Sequence, residues 1–398
     1  IPKSKQLISN KNIDVKEILL LTFSRLAALD LKTKIKALNK TPNASTLHSH
    51  CLSFLISEDN HDIKKRINSI LLDFEKKILV SDLKIVFPDK DKRYLKNMLD
   101  QFSAGWAMEQ HDKVFNEDEE KRKFKFAVLN WLNEYEAAMM EEIVYFAVNL
   151  AKSFKSDGLI PEFIKRTKYI LIDEFQDLNR LEQEFVEILG ENSELLLLVG
   201  DPNQSIYSFK FAHPTGIINF SKREGVYTKN LKYSGRCAKK IINIANQLLI
   251  QADPNTEILK SPDGANEGEV QIIANDNQEK EFETIFNSIL MKLNSGISYK
   301  DILVLAPRKK LGMEFVNYAN NIKIKQKIIG DFSFLFTIGN VFSEYEEEKL
   351  LEFSLLANPE SILHLRSYLG VGDNNYYGKE ISKLKEKYGS FKSAYTEA

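Results

Sequence analysis

Two short apolar runs that each end in acidic residues constrain the fold of this chain more than any other feature. The segment 169–173 reads YILID and continues into Glu174, and the segment 195–201 reads LLLLVGD. Apolar runs of this length indicate strands that are buried on both faces, as in a parallel sheet. Because ligands bind outside the carboxyl ends of the strands in open sheets, both acidic ends are predicted to border one binding crevice.

The surrounding sequence predicts an α/β fold with a helical interruption. The segment 17–23, EILLLTF, is a third apolar run and predicts another strand of the same parallel sheet. Between about 57 and 156 the chain is rich in Lys, Glu, Leu and Phe and almost free of Gly and Pro. This pattern predicts an all-helical insertion with a solvated charged face around a small core.

A second α/β region is predicted after a loop at 252–268, which is rich in Asp, Pro, Gly and Asn and is the best linker candidate. Strands are predicted at 269–274 and 301–306, on either side of a helix at 279–294. From about 343 the pattern is helical again. With 398 residues, the chain has the length of two or more domains.

Composition excludes several classes of protein. The formal net charge is −1, so no global basic field attracts nucleic acid, and any such contact must come from local basic grooves or stacked aromatics. The two cysteines, Cys51 and Cys237, are far apart, which argues against a disulfide framework and for a reducing, cytoplasmic setting. The apolar runs are too short to cross a bilayer, so we expect no membrane contact.

The acidic strand ends carry residue types suited to phosphate chemistry. Asp173 is placed to hold Mg²⁺, which prefers few carboxylates together with water and phosphate oxygens. Glu174 is placed to orient and deprotonate a water that attacks a γ-phosphate. In the second segment, the amide of Gln204 is able to reach a phosphate oxygen or that water. A strand that simply ends in a solvated acidic turn is the alternative, and Gln176 and Asp177 argue against it.

Aromatic side chains follow the second acidic strand end. Tyr207 and Phe209 alternate with polar residues in the segment LVGDPNQSIYSF, at 198–209. Aromatics in such a loop are able to stack on nucleic-acid bases, and each stacked base contributes about 1–3 kcal/mol. Packing of both rings into the core is the alternative interpretation.

Five ordered segments resemble the motifs of UvrD/Rep-type DNA helicases of superfamily one. ILIDEFQD at 170–177 resembles motif II, and the segment 198–209 resembles motif III. LLLTFSRLAA at 19–28 looks like motif Ia, TLHSHCLSFL at 46–55 like motif Ib, and GRCAKKIINIANQLL at 235–249 like motif IV. The later EGEVQII and SYKDILVLAPR resemble the entry into the second motor domain of this family. The resemblance therefore covers most of the chain.

The resemblance implies a RecA-like parallel-sheet motor domain with an all-helical insertion, followed by the start of a second RecA-like domain. The implied divisions are the first part of the first domain with motifs Ia and Ib (1–56), the helical insertion (57–160), the rest of the first domain with motifs II, III and IV (161–255), the start of the second domain (268–340) and the start of a second helical insertion (341–398).

The same resemblance implies a role for individual residues. Asp173 would bind Mg²⁺ and Glu174 would be the catalytic base. Gln204 would couple the γ-phosphate of ATP to DNA contact, and Arg236 would stabilise transition-state charge on that phosphate. The residues implied to line single-stranded DNA are Thr22, Phe23, Ser24, Arg25, Thr46, His48, Ser49, Tyr207 and Phe209. Outside the motif context, a hydrogen-bonded structural histidine and a surface arginine are the alternatives for His48 and Arg236.

The sequence departs from the family pattern at several points. It contains no phosphate-binding loop of the form G-x-x-x-x-G-K-[ST], and motifs V and VI are absent. The chain begins with Ile1, and we interpret it as a fragment that starts downstream of that loop; a degenerate motor is the alternative. Gly235 stands where the family has an aromatic that packs on adenine, and Lys210 stands where many members have arginine.

The sequence as a whole predicts a piece of an ATP-dependent DNA helicase or translocase. By resemblance it would move 3′ to 5′ on single-stranded DNA, act at duplex junctions, and serve DNA repair, recombination or defence. By itself the chain is expected to hydrolyse ATP poorly or not at all, because the phosphate-gripping loop is missing. The alternatives are a catalytically incomplete, helicase-like DNA-binding module or regulator, and a nucleotide switch that is independent of DNA.

Overall fold

The structure is a computed structural model that describes most of the chain in two compact units. The described residues are 13–36, 42–108, 111–116, 118–206, 211–325 and 344–369, with scattered positions between 380 and 393. The first unit comprises Ile1–Thr228 and Glu344–Ala398, and the second comprises Lys229–Ser343. Among the described helices, none combines the length and the apolar character needed to cross a membrane.

The described residues contain six strands and sixteen α-helices. The strands are β1 (Ile18–Thr22), β2 (Asn43–Thr46), β3 (Ser69–Ile70), β4 (Ala137–Ala138), β5 (Tyr169–Ile172) and β6 (Leu195–Leu198). The helices are α1 (Arg25–Lys36), α2 (Leu47–Ser57), α3 (His61–Ile67), α4 (Asp73–Val86), α5 (Lys92–Ala107), α6 (His111–Phe115), α7 (Glu119–Glu134), α8 (Met140–Ser156), α9 (Glu162–Lys165), α10 (Arg180–Glu191), α11 (Thr215–Ser221), α12 (Lys239–Ala252), α13 (Gln278–Asn294), α14 (Lys309–Lys325), α15 (Glu344–Ala357) and α16 (Ile362–Tyr368).

A four-stranded parallel sheet forms the centre of the first unit, in the order β2-β1-β5-β6. All five residues of β1 are buried, because helices cover both of its faces. Leu19 and Leu21 pack into a core that α2, α8 and α10 complete, and Ile18 and Leu20 pack with Ala44 on the opposite face. The predicted α/β fold with a parallel sheet is confirmed.

The strand β6 differs from its prediction. Its apolar run predicts burial on both faces, but Leu195–Leu198 are all only half-buried. These leucines are only half-buried because β6 is an edge strand: within the described sheet it lies last in the order and pairs with β5 alone. An apolar run of four leucines therefore indicates a strand here without revealing that the strand lies at an edge.

The predicted helical insertion is present as α3 to α8, together with a short parallel pair formed by β3 and β4. Its core is aromatic, with Phe102 packed edge-on against Trp106 and Phe115. The late helix α16 packs on this insertion, since Ile362 and Leu363 join the same core.

An ion pair reinforces the packing of α16 on the insertion. The fully buried guanidinium of Arg366 donates to Asp82 Oδ1 at 2.6 Å and to Oδ2 at 3.1 Å. The indole of Trp131 donates to the same Oδ2 at 2.8 Å, so the buried carboxylate is well supplied with donors. Helix α16 is thus held to a helical region nearly three hundred residues earlier in the sequence.

The second unit contains helices α12, α13 and α14, with an apolar core around Phe282, Phe286 and Phe315. The strands predicted at 269–274 and 301–306 are wrong for this structure, since no strand is assigned to either segment. Ile272 and Leu305 remain 96% and 83% exposed. An extended segment becomes a strand only when a neighbour takes up its backbone hydrogen bonds, and the described part of this unit offers neither segment such a ladder.

The boundary between the two compact units falls after Thr228, earlier than the predicted domain boundary at 255. Residues 229–255 group with the second unit, because α12 is fastened to the loop that follows it. The side chain of Asn246 exchanges two hydrogen bonds with the backbone of Leu259, at 2.8 and 3.0 Å. The backbone N–H groups of Lys239 and Lys240 donate to the carbonyls of 266 and 267. Motif IV is therefore in the second unit, while the limits of the two motor domains stay a prediction.

Candidate active site

Asp173 lies at the carboxyl edge of the sheet, directly after β5. Its backbone N–H donates to the carbonyl of Leu21 at 3.0 Å, which ties it to the end of β1. Its carboxylate is exposed and accepts the backbone N–H of Glu174 at 3.2 Å. Although it reaches solvent, the surrounding protein partly desolvates this carboxyl, and that desolvation together with the charge of Glu174 raises the pKa of Asp173.

Glu174 has an unusual backbone conformation. Its φ of 56° and ψ of 43° lie in the left-handed region, which non-glycine residues adopt at a cost of about 1–2 kcal/mol. The next residue holds it there, because Phe175 is buried in the core and its N–H donates to the carbonyl of Val199 at 3.0 Å. The chain thus turns sharply after Asp173 and leaves the Glu174 side chain exposed at the sheet edge. Strain of this kind clusters at functional sites.

Gln176 connects the two acidic strand ends. It is only 1% exposed, and its amide Nε2 donates to Glu174 Oε2 at 2.8 Å. Its amide Oε1 accepts the backbone N–H of Asp201 at 3.0 Å. One side chain therefore joins the turn after β5 to the turn after β6, as the shared sheet edge of the two predicted strands requires.

The turn after β6 is organised by Asp201. Its carboxylate accepts the backbone N–H of Asn203 at 3.0 Å and the amide Nε2 of Gln204 at 2.8 Å. The single 3-10 turn Pro202–Gln204 is thereby closed, and Gln204 stays exposed. The description continues to Ile206, so the predicted DNA-stacking residues Tyr207 and Phe209, and also Lys210, lie outside the described residues.

Asp177 is a buried acid behind Glu174. It is 6% exposed, and within the described residues its Oδ1 has no hydrogen-bond partner. Burial raises the pKa of Asp177, the charge of Glu174 adds to this, and the hydroxyl of Ser205 acts in the opposite direction. The charge of Glu174 thus acts on both Asp173 and Asp177, while the amide of Gln176 donates to the Glu174 carboxylate.

The predicted DNA-facing residues of motif Ia occupy the turn from β1 into α1. Thr22 is buried, and its hydroxyl donates to the carbonyl of Ser24 at 3.0 Å. The Ser24 hydroxyl accepts the N–H of Ala27 at 3.1 Å and so begins α1, and Phe23 packs partly against the core. For Arg25 the side chain is outside the described residues. Of this group, the structure presents Ser24 to solvent and gives Thr22 a structural hydrogen bond.

The motif Ib residues lie where β2 enters α2. Thr46 caps this helix, since its hydroxyl accepts the N–H of Ser49 at 3.3 Å. His48 Nδ1 lies 3.4 Å from Oε1 of Glu182, a residue of the first turn of α10. Thr46, His48 and Ser49 therefore lie at the same carboxyl edge of the sheet as Asp173, because β1 pairs in parallel with both β2 and β5.

Arg236 belongs to the second unit, where it is exposed in the turn before α12. The hydroxyl of Ser234 stabilises this turn by accepting the N–H of Cys237 at 3.3 Å. A Cβ on Gly235 would meet open space, so the position predicted for an adenine-packing aromatic is an open surface within this unit.

Two features of the site have no clear counterpart in sequence reasoning. The pattern shows that Gln176 and Asp177 extend the polar cluster, but it does not reveal that Gln176 bridges the strand ends. The second feature is Gly200, whose added Cβ would lie 2.4 Å from Gln176 Oε1. A glycine between an apolar strand and an acid is the signal that could have suggested such a close approach.

A parallel sheet that carries an Asp–Glu pair at its carboxyl edge, with a helical insertion between its strands, is consistent with a RecA-type domain of the helicase class. Residues 2–224 match the family described as UvrD/REP helicase N-terminal domain, so this chain belongs to the UvrD/REP helicase family.

Several curated relatives are similar over most of this chain. A "Probable DNA helicase II homolog" of Mycoplasma capricolum is 27% identical over 353 residues, which is 83% of this chain and 48% of the relative. An "ATP-dependent DNA helicase Rep" of Buchnera aphidicola is 25% identical over 90% of this chain and 54% of its own length. An "ATP-dependent DNA helicase PcrA" of Staphylococcus epidermidis is 24% identical over 75% and 42%. The chain thus spans about half the length of the curated relatives it matches.

Proposed function

We propose that this chain is part of an ATP-driven DNA helicase or translocase that moves 3′ to 5′ on single-stranded DNA and acts at duplex junctions in DNA repair, recombination or defence. The observation that carries the proposal is the Asp173–Glu174 pair at the carboxyl edge of the sheet, joined through Gln176 to the turn that holds Gln204. The printed names of the relatives, which include ATP-dependent DNA helicases, support it.

The residues at this edge fit a Mg²⁺ ion bound together with a nucleotide. Among the described residues, no group of three or more His, Cys, Asp or Glu side chains could enclose a metal ion. Mg²⁺ does not need such a cage, because it usually takes one or two carboxylates and fills its remaining positions with water and phosphate oxygens. The exposed carboxylate of Asp173 would supply the protein ligand, and the bound ion would neutralise charge on the phosphates of ATP.

Glu174 would act on the attacking water. Its carboxylate is exposed beside Asp173, while Gln176 takes one of its oxygens, which leaves the carboxylate restrained but accessible. A carboxylate so held is able to orient a water molecule and accept its proton. By the family resemblance, Gln204 would contact the γ-phosphate and Arg236 would stabilise charge that develops on it.

DNA contact in this proposal falls on the turns at the same sheet edge. Ser24, Thr46, His48 and Ser49 would lie along the sugar–phosphate backbone, with Thr22, Phe23 and Arg25 in the adjoining turn, and the rings of Tyr207 and Phe209 would stack on bases. Such contacts would give affinity without a basic protein, which agrees with the formal net charge of −1.

The test is the ATPase rate of the complete gene product, measured with and without single-stranded DNA. We expect DNA to stimulate hydrolysis, and Glu174→Gln to lower kcat about 100-fold to 10,000-fold while leaving DNA binding intact, since a general base contributes that much. Unwinding of duplexes with a single-stranded tail on either the 3′ or the 5′ side reports the direction of movement. DNA binding without hydrolysis would instead identify a helicase-like DNA-binding module, and equal rates for Glu174→Gln would remove Glu174 from its assigned role.

A further inference from the structure

The inference concerns the polar chain that starts at Glu174 and ends at Gln204, which we call the amide bridge. It consists of Glu174, Gln176, Asp201 and Gln204. Gln176 donates to the Glu174 carboxylate at 2.8 Å and accepts the N–H of Asp201 at 3.0 Å, and the Asp201 carboxylate accepts the Gln204 amide at 2.8 Å. The chain is continuous, because its two inner members, Gln176 and Asp201, each use a different atom for each of their two contacts.

The bridge depends on an amide at position 176. Glu174 needs a donor and the N–H of Asp201 needs an acceptor, and one side-chain amide supplies both. A carboxylate there would keep the acceptor but lose the donor. It would also add a negative charge to a site where Glu174 already lies between Asp173 and Asp177, whose pKa values its charge helps to raise.

Gly200, which has no side chain, provides the space that the amide bridge occupies. A Cβ at Gly200 would lie 2.4 Å from the side-chain amide oxygen Oε1 of Gln176 and 3.2 Å from the backbone nitrogen of Gln176. The φ of Gly200 is not in the left-handed region, so the need for glycine here is one of space. Gln176 itself is buried. An amide that moved out of this position would lose its hydrogen bonds to Glu174 and Asp201.

Within the described part of the chain, the hydrogen bond from Gln176 is what restrains the Glu174 carboxylate. Glu174 is exposed. The left-handed turn fixes its backbone dihedral angles but does not fix its side-chain torsions. A general base is effective only when it is held in reach of the proton it accepts. We propose that Gln176 is a positioning residue that holds the Glu174 carboxylate for hydrolysis and links it to the turn carrying Gln204, an inference that rests on the proposed ATPase function.

The experiment measures kcat and KM for ATP with saturating single-stranded DNA, using the complete gene product and the variants Gln176→Ala and Gln176→Glu. We expect kcat to fall about 10-fold to 100-fold in both, with KM for ATP changed less than about threefold, because the base is mispositioned while nucleotide binding is kept. Combining Gln176→Ala with Glu174→Gln should lower kcat no further than Glu174→Gln does.

Gln183→Ala is the matched control. Gln183 is a buried glutamine nearby, but its amide donates to the carbonyls of Leu178 and His213 at 3.0 and 2.8 Å, which makes it a purely structural tie. We expect its removal to lower stability and leave kcat within about threefold of the native value.

The outcomes separate the two levels of the proposal. Native kcat in Gln176→Glu, or losses in Gln176→Ala no larger than those in Gln183→Ala, would overturn the positioning role. Additive losses when Gln176→Ala and Glu174→Gln are combined would overturn it as well. A complete gene product that hydrolyses no ATP, or whose rate is unaffected by Glu174→Gln, would refute the proposed function and the role of Gln176 with it.

Discussion

Replacing Gly200 by alanine tests the geometry of the site most directly. The new Cβ would lie 2.4 Å from Gln176 Oε1, a distance that real Cβ contacts do not show, so the amide must move by several tenths of an ångström or more. The movement breaks or weakens the 3.0 Å hydrogen bond from Asp201 N–H and leaves a partly buried donor without its acceptor. A group left in that state costs about 1–3 kcal/mol, and we expect Gly200→Ala to lower the free energy of unfolding by roughly 2 kcal/mol.

Denaturant titration of Gly200→Ala, Gln176→Ala and the double variant measures this effect. If the Cβ acts through the amide, Gly200→Ala should cost less than about 1 kcal/mol once Gln176 has been shortened, and the two changes should couple by about 1 kcal/mol or more. The remaining cost comes from the 3.2 Å approach to the Gln176 backbone nitrogen and the 3.1 Å approach to Ile217. Equal costs in the two backgrounds would refute the reasoning, because the clash would then lie with the backbone or with Ile217.

Two further predictions concern stability. The free energy of unfolding should be about 1 kcal/mol higher for Glu174→Gly than for Glu174→Ala, because only glycine adopts a φ of 56° without strain. Denaturant midpoints report this difference. Equal stability of the two variants would contradict the prediction. Burial, with a smaller effect of Arg166, lowers the pKa of His50 from 6.5 to about 4, so its stabilising contribution is present above pH 6.5 and lost as pH falls towards 4. Between pH 6.5 and pH 5 this amounts to roughly 2 kcal/mol, and His50→Leu should flatten the decline; an unchanged slope would show that other groups cause it.

Much of the first unit could be predicted because its signals are local. The run at 18–22 is buried on both faces, and α10 begins with the capping pair of Asn179 and Glu182. The sequence predicts that the acids following β5 and β6 meet at one edge, because parallel strands place their carboxyl ends together. A pattern that a segment carries within itself, such as periodicity or a cap, is enough for predictions of this kind.

The remainder depends on which segments meet in space. The segments 269–274 and 301–306 have the composition of strands, but composition does not supply the hydrogen-bonding neighbour that makes a strand. In the same way, nothing in the sequence around 176 shows that its amide will reach the N–H of Asp201, twenty-five residues later. The left-handed backbone of Glu174 is equally invisible, since glutamate seldom adopts it and the anchor that enforces it, the bond from Phe175 to Val199, is tertiary.

The hydrogen bond from Asp201 to Gln176 and the left-handed backbone of Glu174 both lie where the edge strand β6 ends and its pairing with β5 is completed. β6 pairs with β5 alone in the described sheet, and its backbone ladder continues past the strand through Val199 and Phe175. Beyond that point the backbones diverge, and Gln176 takes the place of a backbone carbonyl by accepting the N–H of Asp201. The amide that replaces this carbonyl also holds Glu174, so a displacement of the 202–204 turn must either stretch the ladder or move the carboxylate. Coupling between that turn and Glu174, the proposed catalytic base, is therefore expected from how the edge strand ends.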